Sequence, residues 1–137
     1  MAVVYVTRRV HFSASHRLNA ESLSEKENLE IYGLCNNPRG HGHNYNLEVT
    51  IKGEPDPVTG MVIDLKELKD ILQREIIEKV DHKHLNEDVD FFQGIVPTAE
   101  NIAVLFWQLL EGKIPQGELY EIKLYETERN IAIYRGE

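Results

Sequence analysis

The stretch His43-Asn44-Tyr45-Asn46-Leu47-Glu48-Val49-Thr50-Ile51-Lys52-Gly53 alternates strictly in character. Tyr45, Leu47, Val49 and Ile51 hold the odd positions, and Asn44, Asn46, Glu48 and Lys52 hold the even ones. A period of two that ends at a glycine predicts a strand with one buried face. Such a strand requires neighbours on both sides and an apolar layer beneath it.

Both requirements are met outward from this segment. Upstream, Val4, Val6, Val10 and Phe12 share one parity, with Tyr5, Thr7 and Arg9 on the other, which predicts a strand over Val3 to Phe12. Downstream, Asp56, Pro57, Thr59 and Gly60 read as a turn, after which Met61 to Ile63 returns as a short strand. Asp64 and Glu67 form an Asp-x-x-Glu helix start. Leu65, Leu68, Leu72, Ile76 and Val80 then recur at three- and four-residue steps, predicting an amphipathic helix over Leu65 to Lys79. Pro97 and Thr98 open a second helix, whose stripe is Ile102, Leu105, Phe106 and Leu109 and whose stop is Gly112. Leu119 to Tyr125 and Ile131 to Tyr134 alternate around Glu128, Arg129 and Asn130 as a hairpin. Strands flanking a pair of helices predict an α+β fold, a four-stranded antiparallel sheet with both helices packed on one face. The two edges of such a sheet invite assembly.

The chain has 137 residues, enough for a single domain, 1–137, with one hydrophobic core. Apolar residues make up 42% and charged residues 28%, the balance of a folded globular protein. Fifteen Lys and Arg against 23 Asp and Glu leave a net charge of −8, which argues against a nonspecific grip on nucleic acid or anionic membrane. The first charges follow a short apolar stretch, opposite to a secretory signal, and no run approaches the roughly 20 apolar residues of a membrane span. A cytoplasmic location is the expectation. The segments Asn19 to Gly40 and Asp81 to Val96 lack clear periodicity and are the candidate functional loops.

One cysteine excludes an intrachain disulfide, whereas six histidines favour metal or proton chemistry. His41 and His43 differ by two, so a strand running through them aims both from one face, about 6.6 Å apart at a rise of roughly 3.3 Å per residue. Gly40 and Gly42 remove bulk around His41 and let backbone approach a ligand. The third ligand is expected from His16, past the end of the first strand, because His11 falls on the polar parity. Three histidines with an open position describe catalytic zinc; Cys35 as a fourth ligand would instead make a structural site. Asn36, Asn37 and Pro38 favour a turn that holds Cys35 beside the metal without binding it.

Cys35 precedes two asparagines, a proline and an arginine, unlike a cysteine of an apolar core. An ordinary thiol is only a few per cent ionised at pH 7, so work as a base needs a proton partner. Asp81 and His82 could supply one as a carboxylate that orients an imidazole; the alternative is a solvated helix end. Glu126 has the parity of Ile122 and Leu124, which places a carboxylate on an apolar face and calls for a ligand with N–H donors, unless the strand stops one residue earlier.

These motifs resemble the 6-pyruvoyl-tetrahydropterin synthase family of the tunnelling-fold superfamily. The likeness runs from Phe12-Ser13-Ala14-Ser15-His16-Arg17-Leu18 through Cys35-Asn36-Asn37-Pro38 and Gly40-His41-Gly42-His43-Asn44-Tyr45. It continues in Asp56-Pro57-Val58-Thr59-Gly60-Met61, Asp81-His82-Lys83, Glu100-Asn101, Tyr125-Glu126-Thr127 and Tyr134-Arg135-Gly136-Glu137. The resemblance implies a zinc-dependent lyase that converts 7,8-dihydroneopterin triphosphate to 6-pyruvoyl-tetrahydropterin in tetrahydrobiopterin biosynthesis. It implies His16, His41 and His43 as zinc ligands, Cys35 as the catalytic base, and Asp81 and His82 as its relay. Glu126 would anchor the pterin, with Thr98 and Glu100 lining its pocket. It also implies trimers whose sheets close into a barrel, stacked in pairs as a homohexamer with active sites between subunits. Arg8, Arg9, Arg17, Arg39 and Lys83 are candidates for the triphosphate.

The rival within the superfamily is 6-carboxy-tetrahydropterin synthase of queuosine biosynthesis, which releases acetaldehyde and triphosphate from the same substrate. That branch resembles Cys-x3-His-Gly-His, whereas five residues separate Cys35 from His41 here. Outside the superfamily, the alternatives are a non-catalytic zinc-binding module and a metal-dependent hydrolase on an unrelated fold.

Overall fold

A computed structural model describes all residues, 1–137. The decisive segment is strand β2 (His41–Gly53), which pairs antiparallel with β1 (Val4–His16) in an unbroken register from Val4 opposite Gly53 to His16 opposite His41. On its other side β2 pairs with β4 (Glu118–Tyr125), with an irregularity between Thr50 and Ile51, and β4 pairs with β5 (Ile131–Tyr134). These four strands are antiparallel, as expected. A fifth, β3 (Lys83–His84), adds parallel to the end of β1 and gives the order β3-β1-β2-β4-β5.

Tyr45, Leu47, Val49 and Ile51 are fully buried on the inner face of the sheet. Helix α2 (Leu65–Leu72), its continuation to α3 (Glu78–Val80), and α5 (Ala99–Leu110) contribute Leu68, Leu72, Ile76, Ile102 and Phe106 to the same core. Phe12 stacks on Tyr45 at 4.7 Å and meets Phe106 edge-on at 5.7 Å, which joins sheet to helix. No helix is long and apolar enough to cross a membrane.

Several local expectations change. The first strand extends past Phe12 to His16, because its backbone stays laddered to β2 throughout. Met61 to Ile63 forms no strand: Val62 and Ile63 are buried, and Met61 instead accepts a turn hydrogen bond from the Asp56 N–H. Asp64 caps α2 by accepting from the Lys66 N–H, but Glu67 does not complete a capping box. A π-helical turn at Gln73–Ile77 re-aims the stripe, so that Ile76 and Ile77 are both buried.

The segment read as a loop from Asn19 to Gly40 contains α1 (Glu25–Tyr32) and a 3₁₀ turn at Gly33–Asn36. Its capping box is Ser24 with Glu27. Only Asn28 of α1 is buried, while Leu29 and Ile31 face outward, so no apolar stripe announces the helix. The second loop likewise holds α4 (Leu85–Asp88) and a 3₁₀ turn at Asp90–Phe92. The Asn28 carboxamide organises the first excursion: Oδ1 accepts from the Ala20 N–H, and Nδ2 donates to the Ala20 and Ser24 carbonyls. Asn28→Ala is therefore expected to lower stability by about 1–3 kcal/mol, since it removes a buried carboxamide that partners the Ala20 N–H and the Ala20 and Ser24 carbonyls. Denaturant unfolding reads this directly, and a loss below roughly 0.5 kcal/mol, the range of ordinary surface changes, counts against it.

Candidate metal centre and active site

Register and parity assemble three histidines. Cross-strand partners share a face, and β1 pairs Ala14 with His43 and His16 with His41. His16, His41 and His43 therefore project from the inner face, where their ring centroids lie 4.8–5.1 Å apart. One nitrogen from each ring falls within 4.8 Å of the others. The converging cluster consists of these three residues, without Cys35. His11 points from the opposite parity and is exposed.

The donor set suits a cation. His16 is buried, and its Nδ1 lies 2.7 Å from the Pro97 carbonyl, which can only accept. Nδ1 therefore carries the proton, and Nε2 presents a lone pair 3.2 Å from Nε2 of His41. Nε2 of His43 is buried with no protein partner. Two nitrogens bound tetrahedrally at the Zn–N distance of about 2.0–2.1 Å stand roughly 3.3–3.4 Å apart, close to the spacing seen here. Burial holds the His16 pKa down to about 4 and lowers that of His43, keeping both rings neutral and able to ligate. The Tyr45 hydroxyl, 3.3 Å from His16 Nδ1, is also pushed up by burial and then by the charge of Glu126. Sequence reasoning missed Pro97 and Tyr45 as supports; Tyr45 read as a core residue, and a backbone carbonyl carries no side-chain signal.

Gly40 has φ +77°, and a Cβ there would meet the His16 carbonyl at 2.7 Å. The glycine is thus required by close approach of this chain's own backbone beside the histidines, whereas sequence reasoning assigned that space to a ligand.

Strand β4 ends at Tyr125, so Glu126 lies one residue beyond it, yet its side chain is largely covered and Oε2 lies 3.9 Å from His16 Nε2. Thr98, Glu100 and Glu126 line one cavity of about 520 Å³ with Leu18, Ala99 and Arg129. Thr98 also caps α5 by accepting from the Asn101 N–H. The residues expected around a pterin are therefore gathered in one place.

Cys35 is half-buried in the 3₁₀ turn and lines a cavity of about 730 Å³ with His41, Arg17 and Asn36. Asp81 and His82 lie elsewhere. Asp81 accepts from the Ser13 N–H at 2.9 Å and lies 3.0 Å from His82 Nδ1, while the His82 N–H donates to the Ser13 carbonyl. The Ser13 N–H, and secondarily His82, hold the Asp81 carboxyl below its ordinary range. His82 adopts the left-handed region at φ 62°, with its ring 83% exposed. It lines a separate cavity of about 510 Å³ with His43, Lys83 and His84. Within one chain, Cys35 and His82 thus line different cavities. Of the candidate anion-binding residues, Arg17 lies beside Cys35 and Lys83 beside His82.

Comparison with known proteins agrees with this geometry. A family model described as 6-pyruvoyl tetrahydropterin synthase matches residues 5–137. The human 6-pyruvoyl tetrahydrobiopterin synthase is 52% identical over 132 residues, covering 96% of this chain and 91% of that protein. The Drosophila melanogaster protein of the same name is 47% identical over 135 residues, covering 98% of this chain and 80% of its own. The structure of Caenorhabditis elegans 6-pyruvoyl tetrahydropterin synthase superposes with a TM-score of 0.95 at 43% identity, covering 100% of this chain and 98% of that one. A fold, a histidine cluster and an identity that extend along nearly the whole chain lead to one assignment: this protein belongs to the 6-pyruvoyl tetrahydropterin synthase family.

Proposed function

We propose that this protein is a zinc-dependent carbon–oxygen lyase that converts 7,8-dihydroneopterin triphosphate to 6-pyruvoyl-tetrahydropterin, with elimination of triphosphate. The observation that carries this reading is the convergence of three imidazoles, with the buried His16 beside Glu126, while Glu126 lines the cavity of the expected pterin residues and His41 lines that of Cys35. His16, His41 and His43 would hold zinc, which supplies Lewis acidity to the hydroxyls of the substrate side chain.

The chain's own groups divide the remaining work. Glu126 accepts hydrogen bonds from the pterin N–H and amino groups, which orients the ring with its side chain toward the histidines. Cys35 takes a proton from the side-chain carbon and returns it at the neighbouring position. Asp81 fixes the His82 ring by accepting from Nδ1–H, which leaves Nε2 free to exchange a proton. Because Cys35 and His82 line different cavities of one chain, a neighbouring copy supplies the relay in the hexamer that the family resemblance implies.

Incubation of the zinc-loaded protein with dihydroneopterin triphosphate, followed by product mass, tests the proposal. The expected products are 6-pyruvoyl-tetrahydropterin and triphosphate. Carboxy-pterin with acetaldehyde would assign the chain to the queuosine-type reaction. Hydrolysed phosphate without a new pterin would indicate a hydrolase, and no reaction would indicate a binding module.

A further inference from the structure

Arg17 and Leu18 directly follow the metal-site residue His16, and they are tied to the cysteine turn in both directions. The Leu18 N–H donates to the Cys35 carbonyl at 2.9 Å, and Arg17 Nε donates to the Asn36 carbonyl at 3.0 Å. In return, Asn36 Nδ2 donates to the Leu18 carbonyl at 2.8 Å and to Asn19 Oδ1 at 2.9 Å. Asn36 is only 8% exposed, although its neighbours Leu34, Asn37 and Pro38 face outward. On a short turn with no apolar anchor, a buried carboxamide that uses both of its N–H groups is the main restraint. Arg17 is held in the same way: Asn86 accepts from its N–H and donates to its carbonyl.

We propose that Asn36 is a positioning residue for the thiol of Cys35, coupling the cysteine turn to the strand end that carries His16. The carboxamide does not touch the reacting atoms. It fixes where the adjacent thiol stands relative to the histidines, whose member His41 shares the thiol's cavity. This inference rests on the assignment of Cys35 to proton transfer, but its test does not need that assignment.

The test uses the zinc-loaded, full-length protein and the variant Asn36→Ala. Cys35 is the single cysteine, so alkylation by iodoacetamide reports one thiol. Loss of two part-buried hydrogen bonds raises the population of the opened turn, and alkylation is expected to accelerate by roughly 5–30-fold. Turnover should show a kcat lowered by about 10–100-fold with KM within about twofold, as expected for a misplaced reacting group. Zinc content should not change. Asn28→Ala serves as a control that loosens the same excursion without touching the cysteine turn, and its alkylation rate should match the parent. Asn19→Ala, which removes one of the two acceptors, should move alkylation in the same direction by less, and it answers the question if Asn36→Ala does not fold.

An alkylation rate for Asn36→Ala, or in its absence for Asn19→Ala, equal to that of Asn28→Ala overturns the inference. A normal kcat per zinc-loaded molecule of Asn36→Ala also overturns it. If the parent does not turn over the pterin, the proposed reaction fails, while the alkylation rates still decide the role of Asn36.

Discussion

Cys35→Ala is expected to lower kcat by about 10²–10⁴-fold, the usual contribution of a positioned acid or base, with zinc content unchanged. Two features set the expectation. The thiol opens into the cavity that also exposes His41, so it stands near the histidine cluster, yet the converging nitrogens belong to histidines alone. A residue beside the metal but outside its ligand set loses chemistry rather than the ion when truncated. Turnover with metal analysis of the same sample separates the readings. Loss of zinc together with activity would make Cys35 a fourth ligand and the site structural, whereas near-parental activity would remove it from proton transfer.

His43→Ala is expected to have the larger effect on the metal. Its Nε2 is buried without a protein partner, which costs free energy unless a cation or proton occupies the lone pair. Deleting one of three ligands should weaken zinc binding by more than the roughly 10–100-fold typical of outer-shell partners. An ion bound only by the folded state stabilises it by about 2.7 kcal/mol at one hundred times its dissociation constant. A chelator should therefore lower the melting temperature of the parent and leave that of His43→Ala almost unchanged. Equal chelator sensitivity in the two proteins, with full zinc content in the variant, would remove His43 from the ligand set.

The long antiparallel elements were legible because alternation is local. The odd positions of β2 and the even positions of β1 each state which residues face inward, before any neighbour is known. The α1 helix was not legible, since its buried residue is Asn28 and its apolar Leu29 and Ile31 face out. Its only signal was the Ser24-x-x-Glu27 box. The two-residue β3 escaped for a related reason: it is set by pairing with β1 rather than by periodicity of its own. In the site, His41 and His43 followed from parity, whereas Glu126 lies one residue past the end of β4; Asn36 read only as a turn residue and Pro97 only as a helix entry, because their supporting roles rest on hydrogen bonds to residues far along the chain.

By itself, the sequence determined the strand faces, the candidate metal residues and the family resemblance, all carried by residue identity and short spacing. Only the tertiary structure decided that His16 joins His41 and His43. That depends on β1 continuing past Phe12 in a register running from Val4 opposite Gly53 to His16 opposite His41. Only the structure, too, set Cys35 and His82 in separate cavities of one chain. Register and loop docking are long-range outcomes of which backbone groups find partners, and a slip of one residue would have turned the His16 side chain to the other face of the sheet.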